Sequence, residues 1–195
     1  MGFFGSFVVA RCDGPLAELP AVRQAGGDPS WSARDGAWQI VRLHGGGRPA
    51  ESIVRDTGAP VLVAHVFDSD VAAVEAVGPK GSGWECVLSP RTARDSYGAP
   101  ERSPDRNREA VPLAADWARE AGRVPDADAV AAVLAAEADP FAEDLVLDLT
   151  HALGFRFGEG PQSPGGGRWR DPSGRRALRP PHTVRDAGRH RSGLA

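Results

Sequence analysis

Val61-Leu62-Val63-Ala64-His65-Val66-Phe67, Asp68-Ser69-Asp70, Val71-Ala72-Ala73-Val74-Glu75-Ala76-Val77, Gly78-Pro79-Lys80-Gly81-Ser82-Gly83 and Trp84-Glu85-Cys86-Val87-Leu88 follow one another without a break. Their reading decides the fold. Residues 61–67 are a dense run of β-formers. Asp68-Ser69-Asp70 is a turn, because short polar side chains bond their own backbone. Val71, Ala73, Glu75 and Val77 alternate onto one face of the next run, and a Gly-rich turn leads to residues 84–88. Strands joined by turns this short pair antiparallel, so the stretch predicts a meander. A helix over 69–76 is the rival reading. The β-branched Val71, Val74 and Val77 disfavour it.

Working outward, residues 3–10 read as a buried strand that stops at Asp13-Gly14-Pro15. Residues 16–25 form a short helical turn after Pro15, and the Gly, Asp, Pro and Ser content of 26–35 predicts a loop. Residues 37–43 are a second strand, ended by Gly45-Gly46-Gly47. Residues 49–57 fit a short helix with Pro at its first turn and Gly58 after its end. Beyond the meander, residues 89–108 are polar and hold Pro90, Pro100 and Pro104, which predicts a long surface loop. Helices follow over 112–121, with Leu113, Trp117 and Ala121 four apart, and over 126–137, burying Val130, Val133 and Leu134. A third covers 140–153, with Asp139 as its cap, Pro140 in its first position and Gly154 as its stop. Strands first and helices later make an α+β domain: an antiparallel sheet, a meander of about five strands, followed by a C-terminal group of three helices.

The chain has 195 residues, 23 basic and 26 acidic, a formal net charge of −3. Lys80 is its only lysine, and it has one Asn, one Met and one Tyr. Residues 159–195 hold eight Arg against Glu159, Asp171 and Asp186, with seven Gly and five Pro. Such a segment buries too little apolar surface to offset its ordering entropy. It is expected to be a disordered basic tail on a single globular domain of residues 1–158. Cys12 and Cys86 match no metal or redox spacing. No run approaches the ~20 apolar residues of a membrane helix. The N-terminus lacks the basic region of a signal peptide. Met1-Gly2-Phe3-Phe4-Gly5-Ser6 fits the N-myristoylation pattern, but the apolar run that continues from it suits a buried first strand better. The expected compartment is the cytoplasm, with no membrane partner.

Motifs that name a reaction are missing: no Gly-x-Ser-x-Gly, His-Glu-x-x-His or Cys-x-x-Cys occurs. Lys80 sits in a Gly-rich turn, yet a strand follows it where a phosphate-binding loop needs a helix. Two sets of residues carry the enzyme reading, a small metal-dependent or hydrolytic enzyme. Asp68 and Asp70 offer two oxygens to a cation beside His65, but Ala72 stands where a third ligand belongs. His65 alternates with Val61 and Val63, as a half-buried core histidine does. Asp144, Asp148 and His151 fall within about 60° on the last helix. An amphipathic helix needs a polar face in any case, and a His near a helix C-terminus suits the helix dipole. No cofactor or metal is therefore expected.

The charge pattern carries the other reading. Between Asp116 and Asp148 lie nine acids, opposed only by Arg119 and Arg123. Solubility alone explains such a face. The sharper reading is a field that steers a basic protein partner. Its expected contacts are Asp116, Glu120, Asp128, Glu137, Glu143, Asp144 and Asp148. The acidic body repels nucleic acid, while Arg168-Trp169-Arg170, Arg175-Arg176 and Arg189-His190-Arg191 offer weak, non-specific phosphate contacts from the tail. Gly58-Ala59-Pro60-Val61-Leu62-Val63-Ala64-His65-Val66-Phe67-Asp68-Ser69-Asp70 and Phe141-Ala142-Glu143-Asp144-Leu145-Val146-Leu147-Asp148-Leu149 resemble small uncharacterised proteins of high-GC actinobacteria. No functional residue carries over from that resemblance. Small acidic α+β proteins of this style are similar to toxin-neutralising immunity proteins. The expectation is a non-enzymatic cytoplasmic protein-binding domain of the immunity type, with an acidic helical surface.

Overall fold

The computed structural model describes residues 2–47, 49–101 and 103–158. The expected tail lies outside the described residues. Six strands form one antiparallel sheet: β1 (Gly5–Arg11), β2 (Asp28–Asp35), β3 (Trp38–His44), β4 (Val61–Phe67), β5 (Val71–Val77) and β6 (Gly83–Leu88), in the spatial order β2-β3-β1-β4-β5-β6. Of the expected meander of about five strands, β4-β5-β6 run in that order, with His65 opposite Ala73 and Glu75 opposite Glu85, while β1 is inserted between β3 and β4. β1 lies between β3 and β4, and its residues 5–10 are all buried. A strand covered on both faces reads as an unbroken apolar run, which is how residues 3–10 read.

Helices cover both faces. α1 (Pro20–Ala25), a 3-10 turn at Leu16–Glu18 and α2 (Ala50–Thr57) lie over one, packing Leu16, Val22 and Ile53 on Val8, Val41, Leu43, Val61 and Val63. α2 ends at Gly58, whose φ of 61° is left-handed, as the sequence predicts. The other face receives α4 (Ser103–Glu120), α5 (Ala127–Ala135) and α6 (Ala142–Ala152). Trp117 of α4 is fully buried there. It lies edge-on to Trp84 at 6.3 Å between ring centroids and donates its indole N–H to the Val77 carbonyl at 3.3 Å.

Four expectations are corrected. Residues 26–35 contain a strand, not only a loop. β2 buries only Ala33 among its side chains, so it shows no alternating pattern; its backbone pairing with β3 holds it. The sheet thus has six strands rather than about five. Residues 89–108 hold α3 (Pro90–Tyr97) and the first turns of α4, so that among the described residues one helix is added to the three expected after the sheet. Polar composition hid them, because their support is non-local. Glu137 accepts hydrogen bonds from the Arg91 and Thr92 amides and from the Thr92 hydroxyl, capping α3. Asn107 tethers α4 to β6. Finally, Asp139–Pro140 is a cis peptide, and α6 begins at Ala142 with Phe141 before it, so neither Asp139 nor Pro140 plays its expected capping part. Asp126 does cap α5, accepting the Ala129 amide at 3.0 Å.

Candidate functional site

The Asp68-Ser69-Asp70 turn is a structural junction. Asp68 and Ser69 have φ of 51° and 61°, the left-handed pair of a tight hairpin. Asp68 Oδ1 accepts the Gly2 amide at 2.7 Å, and Ser69 Oγ accepts the Phe3 amide at 2.7 Å. The Ser69 hydroxyl donates to Glu143 Oε1 at 2.8 Å, while its carbonyl takes the Ala142 amide at 2.7 Å. Asp70 Oδ2 accepts the Tyr97 hydroxyl at 2.9 Å. The turn therefore ties together the N-terminus, α3 and the start of α6.

His65 is held from the sheet itself. Its Nδ1 lies 2.8 Å from Ser6 Oγ, and its ring meets Phe67 edge-on at 4.7 Å. Ser6 is fully buried, so its hydroxyl is closed to an incoming substrate. On α6, Asp144 is half-buried while Asp148 and His151 are exposed. Among the described residues no three His, Cys, Asp or Glu side chains gather as a metal would require.

Of the seven acids expected to receive a partner, Asp144 is half-buried and the other six separate into two kinds. Glu120, Glu137 and Glu143 face inward as acceptors. Glu120 takes the Lys80 amide at 3.3 Å and a short bond from the Ser82 hydroxyl, holding the β5–β6 turn. Glu137 caps α3. Glu143 is buried; one of its oxygens binds Ser69 and the other, Oε2, has no hydrogen-bond partner. Burial pushes the Glu143 carboxyl above its ordinary range, against the pull of the Ser69 bond and the Arg42 charge. Asp116, Asp128 and Asp148 stand exposed, joined by Asp126 and Asp139. Asp116 pairs with Arg119 at 2.6 Å. Arg123 turns inward to Asp35 at 2.8 Å, with its guanidinium over Phe155 and Trp38.

One feature escaped the sequence reading. A groove of about 360 Å³ runs between α3, α4 and α5. Val111, Ala131 and Leu134 line it, with Arg91, Arg94 and Arg108 around them. The three arginines were legible only as charges in a polar stretch, because the helices that array them were not. No helix among the described residues is long and apolar enough to cross a membrane. Comparison with family models, curated proteins and solved structures finds no match to this chain.

Proposed function

We propose that the protein is a non-enzymatic binding module, of the immunity type in its chemistry, whose acidic helical surface receives a basic protein. One observation carries this reading. After Glu120, Glu137 and Glu143 are set aside, five carboxylates between residues 116 and 148 remain exposed, and Arg119 is the exposed guanidinium among them. The inward turn of Arg123 leaves the outer face more acidic than composition alone implies. Such a field attracts a cationic partner and speeds its encounter. The enzyme alternative has less support, because His65, Asp68 and Asp70 are each engaged with a different group: Ser6, Gly2 and Tyr97.

The test uses Asp116→Lys, Asp128→Lys and Asp148→Lys together, which spares the inward acids. A basic partner captured at low salt should associate more slowly with this variant. Its on-rate for the unaltered protein should fall as ionic strength rises from about 50 to about 500 mM, since screening shortens the Debye length to a few ångströms. The variant should melt with the parent, because exposed substitutions mostly stay within about 0.5 kcal/mol. Salt-independent binding that ignores the reversal would reduce the acids to a solvated face.

A further inference from the structure

We infer that the groove between α3, α4 and α5 is a binding site for a small amphiphilic carboxylate, its apolar body on the helices and its anionic head among the arginines. This site is separate from the acidic surface and does not depend on it. The volume, about 360 Å³, lies within the usual range of small-molecule sites. At the ~30 Å³ that a water occupies in the liquid, it holds about a dozen non-hydrogen atoms. Leu134 is buried and Val111 half-buried beneath it, and Ala131 forms the exposed side.

Guanidinium side chains outnumber carboxylates along the described groove wall. Arg91, Arg94 and Arg108 line the groove, against Glu137 as the one carboxylate among the described lining residues. Glu137 is already satisfied by the Arg91 and Thr92 amides and the Thr92 hydroxyl, and the Arg91 guanidinium stands 3.9 Å from it. Arg94 pairs with Asp95 at 2.7 Å, and Arg108 pairs with Asp105. Both pairs are well exposed to solvent. Exposed pairs of this kind are weak and exchange readily, so a carboxylate on an apolar body competes with them. A guanidinium binds carboxylate through two parallel N–H donors, which suits this head better than an ammonium would. Charge also selects among occupants. Residues 159–195 are rich in arginine and carry the same sign as the rim. An anion is the complement.

The probe is decanoate, with decanol and acetate as the two controls. Backbone amide shifts are recorded on the full chain as each is added. Decanoate should perturb residues 90–94, 107–111 and 131–135 saturably, with a dissociation constant at or below about 1 mM, the strength a dozen atoms reach at ordinary ligand efficiency. Decanol and acetate should bind at least about tenfold more weakly, each lacking one half of the recognition. Ala131→Trp fills the groove from its exposed side and should abolish the shifts while leaving the melting temperature in place. Arg91→Gln with Arg94→Gln should weaken decanoate by about tenfold or more and leave decanol unchanged. Absence of saturable shifts, shifts that survive Ala131→Trp, or equal binding of decanol and decanoate would each overturn the inference. So would loss of a self-associated state on arginine replacement without decanoate binding, which would make a second copy the occupant.

Discussion

Asn107 is the only asparagine of the chain, and replacing it should be among the most damaging single changes. It is 3% exposed on α4, beside the outer edge of β6. Its Oδ1 accepts the Val87 amide at 3.1 Å, and its Nδ2 donates to the Val87 carbonyl at 2.8 Å. The side-chain amide thus takes the place of a neighbouring strand at the sheet edge. The same Nδ2 donates to the Leu134 carbonyl at 2.7 Å, near the end of α5, where carbonyls lack intrahelical partners. One amide therefore joins β6, α4 and α5. Each bond contributes about 1 kcal/mol net, and a buried group left unpaired costs about 1–3 kcal/mol. Asn107→Ala removes three bonds and strands the Leu134 carbonyl in the core, a loss of about 3–5 kcal/mol. That is a large part of the ~5–15 kcal/mol of a typical domain. With a urea slope of ~2 kcal/mol/M, the midpoint should fall by about 1.5–2.5 M. Amide exchange at Val87 should accelerate more than at Val63 in mid-sheet, since only the edge loses its partner. The uncovered edge should also promote concentration-dependent association. Asn107→Asp tests the donor half: the carboxylate faces two carbonyls, so it should be as damaging as alanine at neutral pH. A midpoint shift below ~0.5 M for both variants would refute the clasp.

Two further outcomes follow from buried charges. Burial raises the Glu143 carboxyl above its ordinary range, so the folded chain binds this proton more tightly than the unfolded chain does. Its contribution to stability is present at acid pH and is lost as pH rises through the native value. Urea midpoints of parent and Glu143→Gln across pH 4–8 should therefore differ in slope, the glutamine variant lacking this decline; parallel curves would refute the assignment. Arg123→Ala should cost about 2–4 kcal/mol, because it leaves Asp35 without its cation and bares Trp38 and Phe155. Arg123→Lys should recover only part of that in the same urea assay, since an ammonium lacks the planar fork and the stacking face.

The sequence speaks most clearly where the physics is local. Val61–Phe67 and Val71–Val77 are strands by their β-branched density, and the polar turns between them leave no length for anything but a hairpin. β2 was illegible because a solvent-facing edge strand needs only a neighbour's backbone, and Pro29 with Ser30 mimics a loop. α3 was illegible for a related reason. Its cap comes from Glu137, forty-six residues beyond Arg91, and no local window contains it. The acids show the same limit in another form. Counting them locates a charged region but not the direction of each side chain. Glu120, Glu137 and Glu143 have the longer reach and span to the β5–β6 turn, to α3 and to the β4–β5 turn. Asp116, Asp128 and Asp148 are exposed among the described residues.

This division of labour makes Glu137 the point where fold and groove can be separated. Its carboxylate collects the Arg91 amide at 2.9 Å, the Thr92 amide at 3.1 Å and the Thr92 hydroxyl at 2.9 Å. An anion at the positive end of a helix, bonded to otherwise unpaired amides, stabilises it by about 1–2 kcal/mol. α3 has eight residues, too few to persist unaided. Glu137→Gln keeps one acceptor and removes the charge; Glu137→Ala removes both. Helical protection of residues 91–97 should thus fall stepwise from parent to glutamine to alanine, by about tenfold in exchange rate for each 1.4 kcal/mol. β1 and β4 should keep their protection, because Phe7, Val9, Leu62 and Val66 pack on α4–α6 rather than on α3. Decanoate affinity should fall in the same order, although the substitution removes a negative charge from the groove. Electrostatics alone predicts the reverse, tighter binding in both variants. The direction of that change decides whether the arginines act as loose surface charges or as a rim that α3 holds in place.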